Sequence, residues 1–313
     1  MKYSDSFGKR SSKILLGTGY FGDTITEAES FRIMDTYYEM GGRHIDTARL
    51  YANGEAEKVV GKWLSERKPA DIFVSTKGGY YDVDAGDTPR LKESDIRWDL
   101  EQSLTALGLE CVDFYWLHRD DESKPVSQII DYMNALVKEG KIKKFGASNW
   151  RSERIGQANQ YAKENNLMGF SASQIRFNPA FCLGERGGLV GMDVKEFEFY
   201  KNNSMPVAAY SAQAKGFFSK MAEQGESGLS EKAKKRYLCQ ENLRRLEIIK
   251  QVAAEQNCSV ASVVCAILCS ISKVDVFPII GGRTAEQVAD SMQGSDIFVE
   301  DDILGDWIED CQN

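Results

Sequence analysis

Histidine and proline are scarce in this chain, with two and six residues among 313. No stretch rich in Pro, Gly or Ser divides it, so residues 1–313 are expected to form one domain. Cysteine occurs seven times, an odd number, and never as CxxC. That spacing argues against a disulfide framework or a zinc knuckle and for thiols used as small core residues. Long apolar runs are missing too. The uncharged stretch 259–272 falls short of the ~20 residues of a membrane span, and the N-terminal MKYSDSFGKR has no apolar signal core. Nor is there a basic excess: the net charge of −8 speaks against nucleic acid or an anionic membrane as partner. A soluble, cytoplasmic protein is expected.

What is present is alternation. Strand-like runs occur at 13–17, 43–47, 71–77, 112–118, 143–148, 170–175, 206–211 and 275–281. Helix-like stretches lie near 26–40, 54–67, 93–107, 126–139, 151–165, 191–203, 242–256 and 284–293. Thr26 with Glu29 forms a capping-box pattern, and Gly41-Gly42 is a stop for the same helix. Eight strand–helix units in one α/β chain predict a (β/α)8 TIM barrel. Residues 1–12 are expected to form a hairpin that closes the barrel bottom, with its turn at Gly8-Lys9, and 295–313 a C-terminal tail. Two connections, 78–91 and 212–241, are long enough to be functional loops on the catalytic face. Their Tyr80, Tyr81, Phe217 and Phe218 suit a lid or substrate wall.

Gly17-Thr18-Gly19-Tyr20-Phe21-Gly22 matches the dinucleotide fingerprint G-x-G-x-x-G. That motif needs a helix opening on its third glycine, whereas the cap signals here come later, at 24–26. The glycines are better suited to letting the loop after the first strand, with Thr18 and Gly19, approach a ligand closely.

Three consecutive strands end in ionisable groups: Asp46 with Tyr51, then Lys77, then His118. In a closed parallel barrel these ends meet on one rim, where such barrels place their chemistry. A carbonyl accepting a hydride needs a proton donor and a polarising group. Tyr51 is the acid. An ammonium ~4 Å away contributes about 4 kcal/mol at an effective dielectric near 20, or about three pKa units, as an upper bound. Lys77 is therefore expected to depress the phenol, Asp46 to keep Lys77 charged, and neutral His118 to orient the carbonyl.

With these residues in view, the chain resembles the aldo-keto reductase family. The resemblance rests on Asp46-Thr47-Ala48-Arg49-Leu50-Tyr51 with Gly54-Glu55, Ser75-Thr76-Lys77, Leu117-His118, Gly146-Ala147-Ser148-Asn149 and Gln174. It spans nearly the whole chain. It implies a barrel that binds NADP(H) without a Rossmann domain and reduces aldehydes or ketones reversibly. By the same resemblance, Ser148, Asn149 and Gln174 would hold the nicotinamide carboxamide, and Tyr210 would stack on its ring. Ser211, Gln213 and Gly216 would cradle the pyrophosphate. Gly281, Arg283, Gln287 and Ser291 would lie at the adenosine end, with Arg283 on the 2′-phosphate.

There are departures. Asp290-Ser291 replaces an acidic-Asn pair, and Ser-Ala-Gln-Ala-Lys-Gly replaces a Ser-Pro-Leu-type turn. Arg119-Asp120-Asp121 follows His118 where many members have an aromatic. Such polar groups point to a hydroxylated or sugar-derived small-molecule carbonyl. Tyr20, Phe21, Trp116, Arg119 and Trp150 are the candidate pocket walls.

Two other functions compete. A metal-dependent barrel hydrolase could use the two His-x-Asp pairs, His44-Ile45-Asp46 and His118-Arg119-Asp120, whose members share a strand face. It leaves Lys77 and Tyr51 without a role, and His44, one layer below the rim, is expected to be a satisfied core histidine. A nicotinamide-binding regulatory subunit would keep the same four residues with little turnover. The sequence carries no sign of oligomeric state.

Overall fold

The computed structural model describes residues 1–81, 89–183, 188–300 and Trp307. A two-stranded hairpin, β1 (Tyr3–Ser4) with β2 (Ser11–Ser12), precedes the barrel. Eight parallel strands then close on themselves: β3 (Leu15–Gly17), β4 (His44–Asp46), β5 (Phe73–Gly78), β6 (Val112–Leu117), β7 (Ile142–Ser148), β8 (Ser173–Arg176), β9 (Val207–Tyr210) and β10 (Val276–Ile280). This is the (β/α)8 barrel expected from the alternation. Strands covered by helices outside and filled by side chains inside are apolar on both faces, which is why runs such as Val-Asp-Phe-Tyr-Trp-Leu signal so clearly.

The helices are α1 (Glu27–Glu39), α2 (Glu55–Arg67), α3 (Glu93–Leu107), α4 (Val126–Lys138), α5 (Ser152–Glu164), α6 (Val194–Asn202), α7 (Phe217–Gln224), α8 (Glu231–Tyr237), α9 (Gln240–Glu255), α10 (Val260–Cys269) and α11 (Ala285–Met292). Thr26 caps α1 by accepting from the Glu29 amide at 3.3 Å. The Glu29 carboxylate does not complete a capping box. It accepts instead from the Ala285 amide at the start of α11, 3.0 Å away, and so ties the first helix to the last.

The hairpin lies across the bottom of the barrel. Its turn lies earlier than Gly8-Lys9: the Gly8 amide donates to the Asp5 carbonyl at 2.7 Å, and Gly8 has φ +82°. Phe7, 1% exposed, is the plug. Its ring packs on His44, Phe73, Phe114, Trp116 and Phe277 at centroid distances of 4.7–6.1 Å. Trp116 thus belongs to the barrel's lower interior and is fully buried. The expectation that it walls the substrate pocket is corrected. Inward positions on β6 recur every second residue, and Trp116 lies one layer beneath His118.

Segment 212–241, expected as a loop, contains α7 and α8. Phe217 and Phe218 are buried in the main core and so serve as anchors rather than lid. Helices of eight and seven residues are too short to show a period in sequence. α10 was hidden for the opposite reason. Eight of its residues are buried, so it is apolar all round and has no polar face to reveal a 3.6-residue rhythm. Residues 82–88 of the other long connection, and most of the tail, lie outside the described residues.

Candidate active site

The ends of β4, β5 and β6 carry the candidate catalytic groups, each stepped two residues beyond the one on the strand before it. Asp46 lies opposite Ser75, Lys77 opposite Trp116, and the His118 amide donates to the Gly78 carbonyl at 2.8 Å. Gly78 must be small: a Cβ there would collide with the Tyr115 hydroxyl. Lys77 is 1% exposed, and its Nζ donates to Asp46 Oδ2 at 2.6 Å and to the Thr47 carbonyl at 2.7 Å. Asp46 Oδ1 accepts from Ser75 Oγ at 2.8 Å and Gln174 Nε2 at 3.2 Å. Tyr51 hangs from a tight turn after β4 in which Ala52 and Asn53 adopt left-handed φ of 49° and 54°. Two such non-glycine residues in succession are strained, as is common where a loop must aim a functional group. The Lys77 ammonium lies 4.7 Å from the Tyr51 ring centroid, and the His118 ring lies 6.0 Å from it. All four expected residues meet at one place.

Their charge states follow from burial and mutual contact. Burial works to lower the Lys77 pKa, but Asp46 and Tyr51 outweigh it and hold it above the usual lysine value. His118 is pushed well below 6.5, first by burial and then by Lys77 and Arg119, so it is neutral. Its Nδ1 is buried without a partner among the described residues. The Tyr51 phenol departs from expectation: burial raises it above 10, against the opposing pull of Lys77 and with the support of Asp46. The sequence argument counted the ammonium and omitted desolvation, which disfavours phenolate.

The residues expected to hold a cofactor occupy one arc of the rim. Tyr210 donates to Asn149 Oδ1 at 2.7 Å, and Asn149 Nδ2 donates to Ser148 Oγ at 3.2 Å and the His118 carbonyl at 3.4 Å. Burial pushes the Tyr210 phenol up to about 12. Gln213 Nε2 donates to Ser291 Oγ at 2.9 Å, Ser291 Oγ donates to the Gln287 carbonyl at 2.9 Å, and Gln287 Oε1 accepts from the Arg283 amide at 2.8 Å. Ser211, Ala214, Lys215 and Gly216 have left-handed φ of 47–74°, a loop that turns backbone groups toward one side. Gly19 has open space around it and Gly281 nearly so. The Thr18 amide and hydroxyl both point to the Asp46 carbonyl, at 3.1 and 3.4 Å, and Thr18 is fully buried.

Among the candidate substrate walls, Arg119 sits beside His118, and Tyr20 is 63% exposed. Phe21 and Trp150 are at most 1% exposed and belong to the core instead. Phe21 is turned in by the Thr18–Phe21 bond at 3.0 Å. Trp150 packs on Phe170 at 4.9 Å and donates to the Arg119 carbonyl at 3.0 Å. Tyr80 does reach the site: its ring is 4.9 Å from His118. His44 is satisfied as expected, within 2.9 Å of both Ser11 and Ser75. Among the described residues no cluster of three or more His, Cys, Asp or Glu could hold a metal. Ser75 and Arg176 were missed as site residues. Counting back two from Lys77 and on two from Gln174, along the inward face, would have found both.

Comparison with known proteins adds an independent view. A family model described as the Aldo/keto reductase family matches residues 13–305. The chain is 28% identical to norsolorinic acid reductase A of Aspergillus parasiticus, covering 99% of this chain and 80% of that protein. It is 28% identical to an uncharacterized oxidoreductase of Bacillus subtilis, over 96% and 93% respectively. A putative aryl-alcohol dehydrogenase of Saccharomyces cerevisiae is 26% identical over 94% of this chain and 81% of its own length.

Proposed function

Because this chain belongs to the aldo/keto reductase family, we propose that it is an NADP(H)-dependent oxidoreductase reducing an aldehyde or ketone to an alcohol, with Tyr51 as proton donor. The observation that carries this is the buried Lys77 ammonium held between Asp46 and Tyr51 next to a neutral His118. The residues present fit a nicotinamide dinucleotide. A buried ring nitrogen on His118 lacks a partner, and the left-handed loop 211–216 leads from Tyr210 to Gln213, Ser291 and Arg283. Ser148, Asn149 and Gln174 would hold the carboxamide end, Tyr210 the ring, the loop the pyrophosphate, and Arg283 the 2′-phosphate. When bound, NADPH supplies the hydride.

The chain's own residues do the rest. Neutral His118 orients the carbonyl oxygen by a hydrogen bond. Tyr51 keeps its proton at neutral pH and delivers it to the oxygen as alkoxide character develops. Such an oxygen is far more basic than a phenolate, so a raised tyrosine still transfers downhill. Lys77 stabilises the phenolate left behind, and Asp46 keeps Lys77 charged in a dry site. The test is a panel of carbonyl compounds followed by loss of reduced-nicotinamide absorbance, with Tyr51→Phe as control. A control retaining wild-type turnover would remove Tyr51 from this role.

A further inference from the structure

Two arginines at the rim have charge that no carboxylate among the described residues answers. Arg119 directly follows His118 and is 9% exposed; Arg176 ends β8 and is 4% exposed. Arg119 donates Nη1 to the Gly188 carbonyl at 3.2 Å and Nη2 to the Tyr80 hydroxyl at 3.3 Å, and its Nε has no partner. Both terminal nitrogens of Arg176 are buried without a partner among the described residues. No carboxylate among the described residues pairs with either. Guanidinium groups keep their charge, and a buried charge without a counter-charge is strongly unfavourable.

The two belong to one locality. Arg119 reaches the Gly188 carbonyl, while the Arg176 amide donates to the Val190 carbonyl at 3.0 Å and its carbonyl accepts from the Met192 amide at 2.9 Å. The segment 188–192 thus joins them. Arg176 shares the inward face of β8 with Gln174, which contacts Asp46, and lies in register with Tyr210. Both cations act on the Tyr210 phenol.

We propose that Arg119 and Arg176 form an oxyanion subsite beside the reacting carbonyl, so that the substrate is a carbonyl compound carrying a carboxylate. This rests on the carbonyl-reductase reading above. Arg119 adjoins the residue that orients the carbonyl, one strand end from Lys77. Arg119 follows β6, three strands away from β9 and the loop 211–216 that follows it, which favours a substrate anion over a cofactor phosphate, although Arg176 borders that loop through Tyr210. A carboxylate would meet Arg119 first and engage the more enclosed Arg176 as the rim adjusts. Tyr80 and Tyr81, whose rings lie 5.1 and 5.5 Å from the Arg119 guanidinium, give such a ligand an apolar wall.

The experiment compares 4-carboxybenzaldehyde with its uncharged methyl ester, using NADPH. The acid should be preferred by about 10- to 100-fold in kcat/KM, mainly through KM, as expected for a charge-assisted hydrogen bond. Arg119→Gln and Arg176→Gln should each bring that ratio toward one, and Arg176→Lys should restore part of it. A wild-type ratio near one overturns the proposal. So does a ratio that survives both substitutions, or an Arg176→Gln effect confined to the Kd for NADPH, which would assign the anion to the cofactor. A calorimetric arm uses wild-type protein saturated with NADP+ and titrates benzoate against benzamide. Equal affinities overturn the subsite. If neither aldehyde is turned over, the carbonyl-reductase reading fails, and the benzoate arm still decides the subsite.

Discussion

Removing the Lys77 ammonium should separate catalysis from stability in a way no other substitution can. In Lys77→Met, Asp46 keeps its bonds from Ser75 and Gln174 but loses its cation, at 2% exposure. A buried carboxylate stripped of its partner costs about 3–5 kcal/mol. Tyr51 loses a positive charge 4.7 Å from its ring centroid, worth about 3.5 kcal/mol at an effective dielectric near 20, or about 2.6 pKa units. If about half of the proton is transferred in the transition state, turnover falls by about 20-fold, within the ~10⁴-fold that general-acid catalysis contributes. Asp46→Asn combined with Lys77→Met should recover most of the stability, since neither buried charge remains, yet none of the rate. Chemical denaturation measures the first quantity, and single-turnover hydride transfer at saturating NADPH the second. A double variant that regains both stability and turnover would refute the argument, because the ammonium would then be structural only.

Other outcomes follow from the same geometry. The Tyr51 phenol lies above 10, so reduction should vary little between pH 6 and 8, while alcohol oxidation, which needs the phenolate, should rise steeply toward alkaline pH; parallel profiles in the two directions would contradict this. His118 is held well below 6.5 by burial. A group with a depressed folded pKa, here a histidine kept neutral, contributes stability above its unfolded pKa of about 6.5 and loses it as pH falls, by about 1.4 kcal/mol per pH unit. Denaturation midpoints of His118→Gln should therefore fall less steeply with acid than those of the wild type, and equal slopes would count against a neutral buried imidazole. Phe7→Ala should cost about 3–5 kcal/mol by emptying the barrel plug, measurable in urea with NADPH affinity largely kept. Arg283→Ala should weaken NADPH but not NADH, since Arg283 is exposed with its side chain unpaired among the described residues; equal losses for both would place the 2′-phosphate elsewhere.

Much of the site was legible because parallel strands carry their chemistry at their C-terminal ends. An apolar run ending in Asp46, Lys77 or His118 states both the strand and its candidate functional tip. What escaped depends on distance in the fold. Trp116 and Trp150 read as pocket aromatics, since nothing local says which layer of the barrel an inward side chain occupies. Phe7, in the turn of nothing more than a hairpin, fills the space that places Trp116 below the site. α10 escaped because total burial erases amphipathic rhythm. The sign of the Tyr51 shift escaped because desolvation is a property of everything packed around the phenol.

The amino-acid order alone determined the strand–helix succession, the eightfold count and the choice of Asp46, Tyr51, Lys77 and His118 as the candidate catalytic set, all of which rest on spacing within short segments. Tertiary structure alone decided which aromatics plug the barrel, in which direction the phenol shifts, and that Arg119 and Arg176 stand together with no carboxylate partner among the described residues. Those outcomes depend on burial and on groups far apart in the chain. Desolvation and Coulomb interaction act through space, and only closure of the barrel sets those distances.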